Sequence, residues 1–297
     1  MNTQLPNLGL INVLGKGGTA TVYRAQQLST GREVAVKVLD ADFVTSPEDI
    51  HRFLNEAKAC ARFKHDNIVR VYDANEVNGI YYFVMELVNG YTFATYLERK
   101  KKVDVDDVLI ILEAITEALK YAWQKFRVVH CDLKPDNIMV DANGTIKLMD
   151  LGISKSLLTA RRTPNDDGED IMGTPAYMSP DQLYDLSDID CRSDIYSLGA
   201  TIYHLLTGFP LFPGKTDQQV VDSHIGASFA RDPRYYDPTI PRELSLILNR
   251  MLAKDRNLRY PNWETLSADI QHFYAGEPLL ATPLNPGESS VGFSQDR

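Results

Sequence analysis

The sequence predicts an α+β chain of two lobes, a small antiparallel β-sheet lobe carrying one helix and a larger α-helical lobe after it. Short β-branched runs dominate residues 8–86; Val34-Ala35-Val36-Lys37-Val38-Leu39 is the clearest, and Asn78-Gly79 stands as a hairpin turn between runs at 68–72 and 80–87. Beyond Asn89 the spacing turns helical, with Val108, Ile111, Leu112, Ile115, Leu119 and Ala122 on one face and further helices expected at 194–206, 243–252 and 263–274. The 297 residues suffice for two lobes around a cleft.

The one helix of the small lobe is expected after Ser46-Pro47-Glu48-Asp49, which combines a cap, a proline at the first helical position and early acids. Ile50, Phe53, Leu54, Ala57, Cys60 and Ala61 then recur at helical spacing, a stripe that should pack on the sheet. The expected organisation is a domain at 8–274, divided into an N-lobe (8–86), a hinge (87–91) and a C-lobe (92–274). Residues 275–297 carry three prolines, three glycines and little periodicity, and read as a flexible tail or linker.

Lys and Arg total 31 against 40 Asp and Glu; the net charge of −9 gives no reason to expect nucleic acid or an anionic membrane as partner. The three cysteines, Cys60, Cys131 and Cys191, fit neither a disulfide framework nor a zinc site, and a reducing cytoplasm is the simplest location. The N-terminus lacks the basic start and apolar run of a signal peptide. The most apolar stretch, 108–123, is broken by Glu113, Glu117 and Lys120, so no membrane span is expected in this chain.

Three groups of residues suggest chemistry. Leu14-Gly15-Lys16-Gly17-Gly18-Thr19-Ala20-Thr21-Val22 is a glycine-rich turn between two strands, where missing side chains let backbone N–H groups close over phosphates. A plain hairpin turn would look similar. A Rossmann or Walker loop would not, because each needs a helix directly after the glycines. Lys37 lies inside an apolar strand, where a charge needs a partner or an outward face, and Glu56 on the capped helix is a candidate partner that would hold Lys37 toward phosphates. The most specific group is His130-Cys131-Asp132-Leu133-Lys134-Pro135-Asp136-Asn137, followed eighteen residues after Asp132 by Asp150-Leu151-Gly152. Phosphoryl transfer to an alcohol needs a carboxylate that orients the hydroxyl and takes its proton, and oxygen ligands for a divalent cation. Asp132 suits the first role; Asn137 and Asp150 suit the second.

With these residues in order, the chain resembles a eukaryotic-type Ser/Thr protein kinase and is most similar to the bacterial branch of that superfamily, from residue 8 to 274. Gly173-Thr174-Pro175-Ala176-Tyr177-Met178-Ser179-Pro180-Asp181, Ser193-Asp194-Ile195-Tyr196-Ser197-Leu198-Gly199 and Arg259 complete the family's motifs. The resemblance implies the bilobal protein-kinase fold, ATP with Mg²⁺ (or Mn²⁺) as cofactors, and a protein substrate with a Ser or Thr acceptor. It implies that Met85 is the gatekeeper behind the adenine, that Glu86 and Val88 offer hinge hydrogen bonds, and that Val22, Ala35 and Met139 sandwich the purine. Lys134, the mark of Ser/Thr specificity, should reach the transferring phosphate with Thr174 beside it. Asp194 should brace the catalytic loop and Asp181 should pair with Arg259.

Four positions depart from the family. Ala20 replaces a glycine, Leu151 a phenylalanine and Asp181 a glutamate, each keeping the size or charge required. Cys131 stands where most regulated kinases have an arginine that receives an activation-loop phosphate. Activity is therefore expected not to depend strictly on that phosphate, although Ser154, Ser156, Thr159 and Thr163 are candidate autophosphorylation sites within 150–181. The alternative function is a pseudokinase or ATP-binding scaffold that acts through partner binding; retention of Lys37, Glu56, Asp132, Lys134, Asn137 and Asp150 argues against it. A small-molecule kinase is disfavoured by the segment 173–181, which resembles a peptide-positioning loop.

Overall fold

The structure, a computed structural model, describes residues 5–17, 20–40, 60–151, 174–184 and 188–293. Glu56 and the helix expected around it lie outside the described residues, as do Gly18, Thr19, Gly152, Gly173 and the candidate phosphorylation sites Ser154, Ser156, Thr159 and Thr163.

The small lobe is built on β1 (Leu8–Lys16), β2 (Ala20–Gln27), β3 (Arg32–Leu39), β4 (Val71–Val77) and β5 (Ile80–Glu86), an antiparallel sheet of order β1-β2-β3-β5-β4. The predicted hairpin at Asn78-Gly79 joins β4 to β5: both residues have positive φ (51° and 76°), as a type I′ turn requires, and Val77 pairs with Ile80. β4 starts later than the apolar run at 68–72 suggests. Ile68 forms a parallel bridge to Leu148 and the Val69 N–H donates to the Leu148 carbonyl (2.8 Å), so these two residues tie the small lobe to the large one.

The large lobe holds seven α-helices among the described residues: α1 (Phe93–Lys100), α2 (Val105–Phe126), α3 (Pro180–Tyr184), α4 (Cys191–Thr207), α5 (Asp217–Ile225), α6 (Arg242–Met251) and α7 (Trp263–Ala275). All six predicted α2 face residues are buried, as the helical spacing demands. α4 is buried almost all round and lies at the centre of the lobe; the Asp190 side chain accepts from the Arg192 N–H at its start, and Gly208 closes it in the left-handed conformation (φ 76°). A three-stranded sheet, β6 (Gly90–Thr92), β7 (Ile138–Asp141) and β8 (Ile146–Leu148), lies beneath the cleft. Gly90 must be a glycine, because a Cβ there would stand 1.9 Å from the Val140 carbonyl oxygen. The connection between lobes is correspondingly shorter than the expected 87–91, since Gly90 and Tyr91 already pair with Asp141 and Val140.

The expectation of a flexible tail beyond Ala275 is corrected as far as residue 293. Both carboxylate oxygens of the buried Asp269 on α7 accept backbone N–H groups, from Leu280 at Oδ1 and Ala281 at Oδ2 (2.9 Å). Asn249 on α6 accepts from the Leu284 N–H (3.2 Å) and donates to the Val291 carbonyl (3.0 Å). Ser289, Ser290 and Val291 are buried. An extended segment held at its own backbone needs no apolar periodicity, so composition could not reveal it.

Candidate active site

Strand alternation positions the lysine. In β3, Val34 and Val36 face a core with Leu5, Ala25, Tyr82 and Val84, so Ala35 and Lys37 must face the opposite side, toward the cleft. Ala35 there packs with Val69 and Met85, with Val22 and Val88 at the margin of the same cluster. Lys37 Nζ donates to Asp150 Oδ2 at 2.7 Å, an ion pair whose side chains are 13% and 19% exposed. Burial pushes the Asp150 carboxyl up, but the charge and hydrogen bond of Lys37 outweigh it and hold the pKa below the ordinary carboxylate value.

The β7–β8 hairpin brings the two candidate metal ligands together. Ile138 pairs with Leu148, which places Asn137 and Met149 opposite each other at its open end, and the Met149 N–H donates to the Asn137 carbonyl (2.9 Å). Asp150 is the next residue. Asn137 Nδ2 donates to the Asp132 carbonyl (2.7 Å) and to Asp132 Oδ2 (2.9 Å), which leaves its Oδ1 as the acceptor able to face a cation.

Two residues here hold left-handed backbone without being glycine, Cys131 (φ 68°) and Asp150 (φ 56°). The fold over-determines the first: the buried Asp194 carboxylate on α4 accepts from the His130 N–H (2.7 Å) and the Cys131 N–H (2.9 Å). His130 completes the brace. Its Nδ1 accepts from the Asp132 N–H (3.2 Å), so in the neutral ring Nε2 carries the proton and donates to the Met149 carbonyl (2.8 Å). Residues 130–132 and the segment leading into Asp150 are thereby tied directly.

Lys134 Nζ lies 2.9 Å from Asp132 Oδ2 and donates to Thr174 Oγ1 at 2.9 Å, linking the catalytic loop to the segment before α3. Asp181 pairs with the fully buried Arg259, whose remaining N–H groups donate to the carbonyls of Ala253 (2.7 Å), Arg192 (3.0 Å) and Lys254 (3.0 Å). Every branch of that guanidinium is used, as a buried charge requires.

At the upper side of the cleft, Leu14, Gly15, Lys16 and Gly17 are exposed, Ala20 is buried and Thr21 and Val22 are half-buried, with the Gly17 N–H donating to the Ala20 carbonyl (2.9 Å). No described atom lies within 4 Å of where a Gly15 Cβ would stand, so the chain's own packing does not demand glycine there. Close approach of phosphates would. Met139 is half-buried in β7, paired with Thr92 and Lys147.

The sequence reading missed several residues. Met149, beside Ala35 and Met85, joins the apolar lining. For Glu86, expected at the hinge through its backbone, what was missed is the side chain, which forms an ion pair with Lys147 (2.8 Å) and accepts from the Arg70 N–H (3.2 Å). Buried Gln182 donates to the Cys131 carbonyl (2.7 Å) and accepts from the Ser179 N–H (3.0 Å). Its place beside Asp181 was the only available signal. Thr92 accepts from the Thr95 N–H (3.2 Å) and caps α1.

The two-lobed cleft thus carries a lysine–aspartate pair above and an aspartate–lysine–asparagine loop below. The oxygen donors of Asn137 and Asp150 suit a hard cation such as Mg²⁺, and Lys37 suits the phosphates it would accompany. The protein kinase domain family matches residues 9–272, and the chain belongs to that family. It is similar to a probable serine/threonine-protein kinase of Streptomyces coelicolor (36% identical, covering 95% of this chain and 42% of that protein). It is also similar to the serine/threonine-protein kinase PrkC of Bacillus subtilis (35% identical, 91% and 41%). Among solved structures, the PknI kinase domain of Mycobacterium tuberculosis superposes with a TM-score of 0.71 at 26% identity, covering 91% of this chain and 96% of that one. These matches place the chain in the eukaryotic-type Ser/Thr kinase superfamily, in its bacterial branch. The chain spans about two fifths of the length of these curated relatives.

Proposed function

We propose that this chain is an ATP-dependent protein kinase that phosphorylates serine and threonine hydroxyls of proteins, with Asp132 as the base. The observation that carries the reading is the position of Lys134, 2.9 Å from both the Asp132 carboxylate and the Thr174 hydroxyl. It joins the proton acceptor to the segment that would hold an acceptor peptide.

When bound, Mg²⁺·ATP supplies the transferable γ-phosphoryl group and neutralises its charge. Asp132 orients the acceptor hydroxyl and takes its proton, while Lys134 offsets negative charge on the transferring group. Asn137 Oδ1 and the Asp150 carboxylate would hold the cation, and Lys37, with Glu56 as the partner the sequence offers, would serve the α/β-phosphates. The loop 14–22 would lie over the phosphates, and Val22, Ala35 and Met139 would line the purine site, with Met85 behind it and the backbone of Glu86 and Val88 beside it.

Activity in this reading does not depend strictly on a phosphate in the activation segment. Cys131 is buried beside Val129 and Ile189 and offers no cation, while Gln182 already holds the Cys131 carbonyl against the end of that segment. Autophosphorylation at Ser154, Ser156, Thr159 or Thr163 would then adjust the activity instead of switching it on. A cytoplasmic setting suits the three buried thiols, which form no disulfide, and no helix among the described residues is long and apolar enough to cross a membrane. Cell fractionation tests the location; recovery outside the cytoplasm would refute it.

The deciding experiment is transfer of labelled γ-phosphate from Mg²⁺·ATP to a generic protein, comparing the parent with Asp132→Asn. Phosphoserine or phosphothreonine that vanishes in the variant supports the reading. A folded parent that binds ATP and transfers nothing with Mg²⁺ or Mn²⁺ refutes it and favours a scaffold.

A further inference from the structure

Residues 277–293 leave α7 and run back across the large lobe beyond the family-matched residues; besides the anchors at Asp269 and Asn249, contacts of residues 288–291 lead toward α5. Ser290 Oγ lies 2.8 Å from the Tyr196 hydroxyl, which lies 2.8 Å from Nδ1 of His224 on α5. His224 Nε2 is buried with no hydrogen-bond partner among the described residues. Val291 is buried in one apolar cluster with Tyr177, Leu211 and Phe212. The Lys254 N–H donates to the Glu288 carbonyl (2.9 Å), and Lys254 Nζ donates to the carbonyls of Ser223, Gly226 and Ser228 at the C-terminal end of α5. Parallel bridging of Ala230 and Val291, with the Ala230 N–H on the Ser290 carbonyl (2.8 Å), fixes the chain just after α5.

Through Tyr196 and Lys254 these contacts are relayed to α5, and Val291 shares its cluster with Tyr177 of the turn Pro175–Tyr177; that turn follows Thr174 directly, the residue hydrogen-bonded to Lys134. The strap touches neither Lys37 nor Asp150 in any of them. We infer that residues 277–293 are a built-in positioning strap for the acceptor-protein platform formed by α5 and the turn 175–177, with Ser290 and Val291 as its positioning residues. The inference rests on the proposal that the segment 173–181 receives the protein substrate, and it adds α5, which packs on the turn 175–177, to that platform. A buried polar chain from Ser290 through Tyr196 to His224 has few alternative arrangements, because each hydroxyl or ring nitrogen that lost its partner would be left buried and unpaired. The strap therefore restricts the platform to one position and reduces the ordering that an acceptor must otherwise impose.

The test compares the 297-residue chain, the chain ending at Gly276, and the 297-residue chain carrying Ser290→Ala, each titrated with protein acceptor and with Mg²⁺·ATP. The shortened chain should raise KM for the acceptor about tenfold while KM for ATP stays within about twofold, a loss of acceptor positioning without loss of nucleotide binding. A synthetic peptide of residues 277–297 added in trans should restore the acceptor KM. Ser290→Ala should show the same split at about threefold, because only one link of the polar chain is removed. Unchanged acceptor KM in both variants, or equal loss for both substrates, overturns the strap. If the shortened chain shows no cooperative unfolding, Ser290→Ala and Val291→Ser decide by the same split. An inert parent overturns both the kinase reading and the strap, whereas an active parent with unsplit variants overturns the strap alone.

Discussion

Lys37 Nζ and Asp150 Oδ2 stand 2.7 Å apart, so the residue proposed for the phosphates and the residue proposed for the cation are each other's partner. Each charge satisfies the other in a part-buried cleft until substrates take over. Lys37→Met would leave Asp150 with less to hold its carboxyl ionised and remove the phosphate contact. The expected result is a fall in kcat/KM for ATP of about 100-fold or more. An assay at fixed acceptor with ATP titrated checks it, and a change under about threefold would refute the role.

Asp132→Asn keeps the shape but loses the base and the charge that meets Asn137 and Lys134. Loss of general-base catalysis is worth about 100-fold or more in kcat. Binding of Mg²⁺·ATP, followed by calorimetry, should change little, since the proposed cation ligands remain.

Dephosphorylated protein should keep most of its turnover. Treatment with a Ser/Thr phosphatase, or joint replacement of Thr159 and Thr163 by alanine, is expected to leave kcat within about threefold, because Cys131 offers no cation for the phosphate to engage. Negligible turnover restored by phosphorylation would contradict the assignment of Gln182 as the standing link to the catalytic loop.

Arg259→Met should destabilise the chain by about 3–5 kcal/mol, since it strands the Asp181 carboxylate and three backbone carbonyls beneath the surface. The double change with Asp181→Leu should recover part of that loss. Denaturant unfolding of the two variants measures both effects.

Mild acid should loosen the large lobe. Burial, including packing against Phe212 and Tyr196, pushes the pKa of His224 down from 6.5 to about 4. Between those values the unfolded chain takes up a proton that the folded chain refuses, so stability is complete above pH 6.5 and falls as the pH drops toward 4. The full effect is about 3 kcal/mol. His65 and His204, also lowered chiefly by burial, act in the same direction. Thermal unfolding at a series of pH values should show the slope, and His224→Asn should flatten it.

The sequence by itself determined the two lobes, the Asn78-Gly79 hairpin, the α2 face and the identity of Asp132, Lys134, Asn137 and Asp150 as a set. These are properties of local periodicity, of turn residues that tolerate positive φ, and of chemistry-bearing types at fixed separation along the chain. It located Lys37 in a strand but not the side it faces; burial of Val34 and Val36 on the other face decided that. Met149 and the side-chain contacts of Glu86 and Gln182 were not legible in the sequence, because their partners are delivered by other elements. The strap shows the same limit most fully. Its prolines and glycines look like a linker, and the partners that make an aperiodic segment part of the folded lobe, among them the buried Asp269, Asn249 and Tyr196 on three separate helices, are brought to it by the tertiary structure.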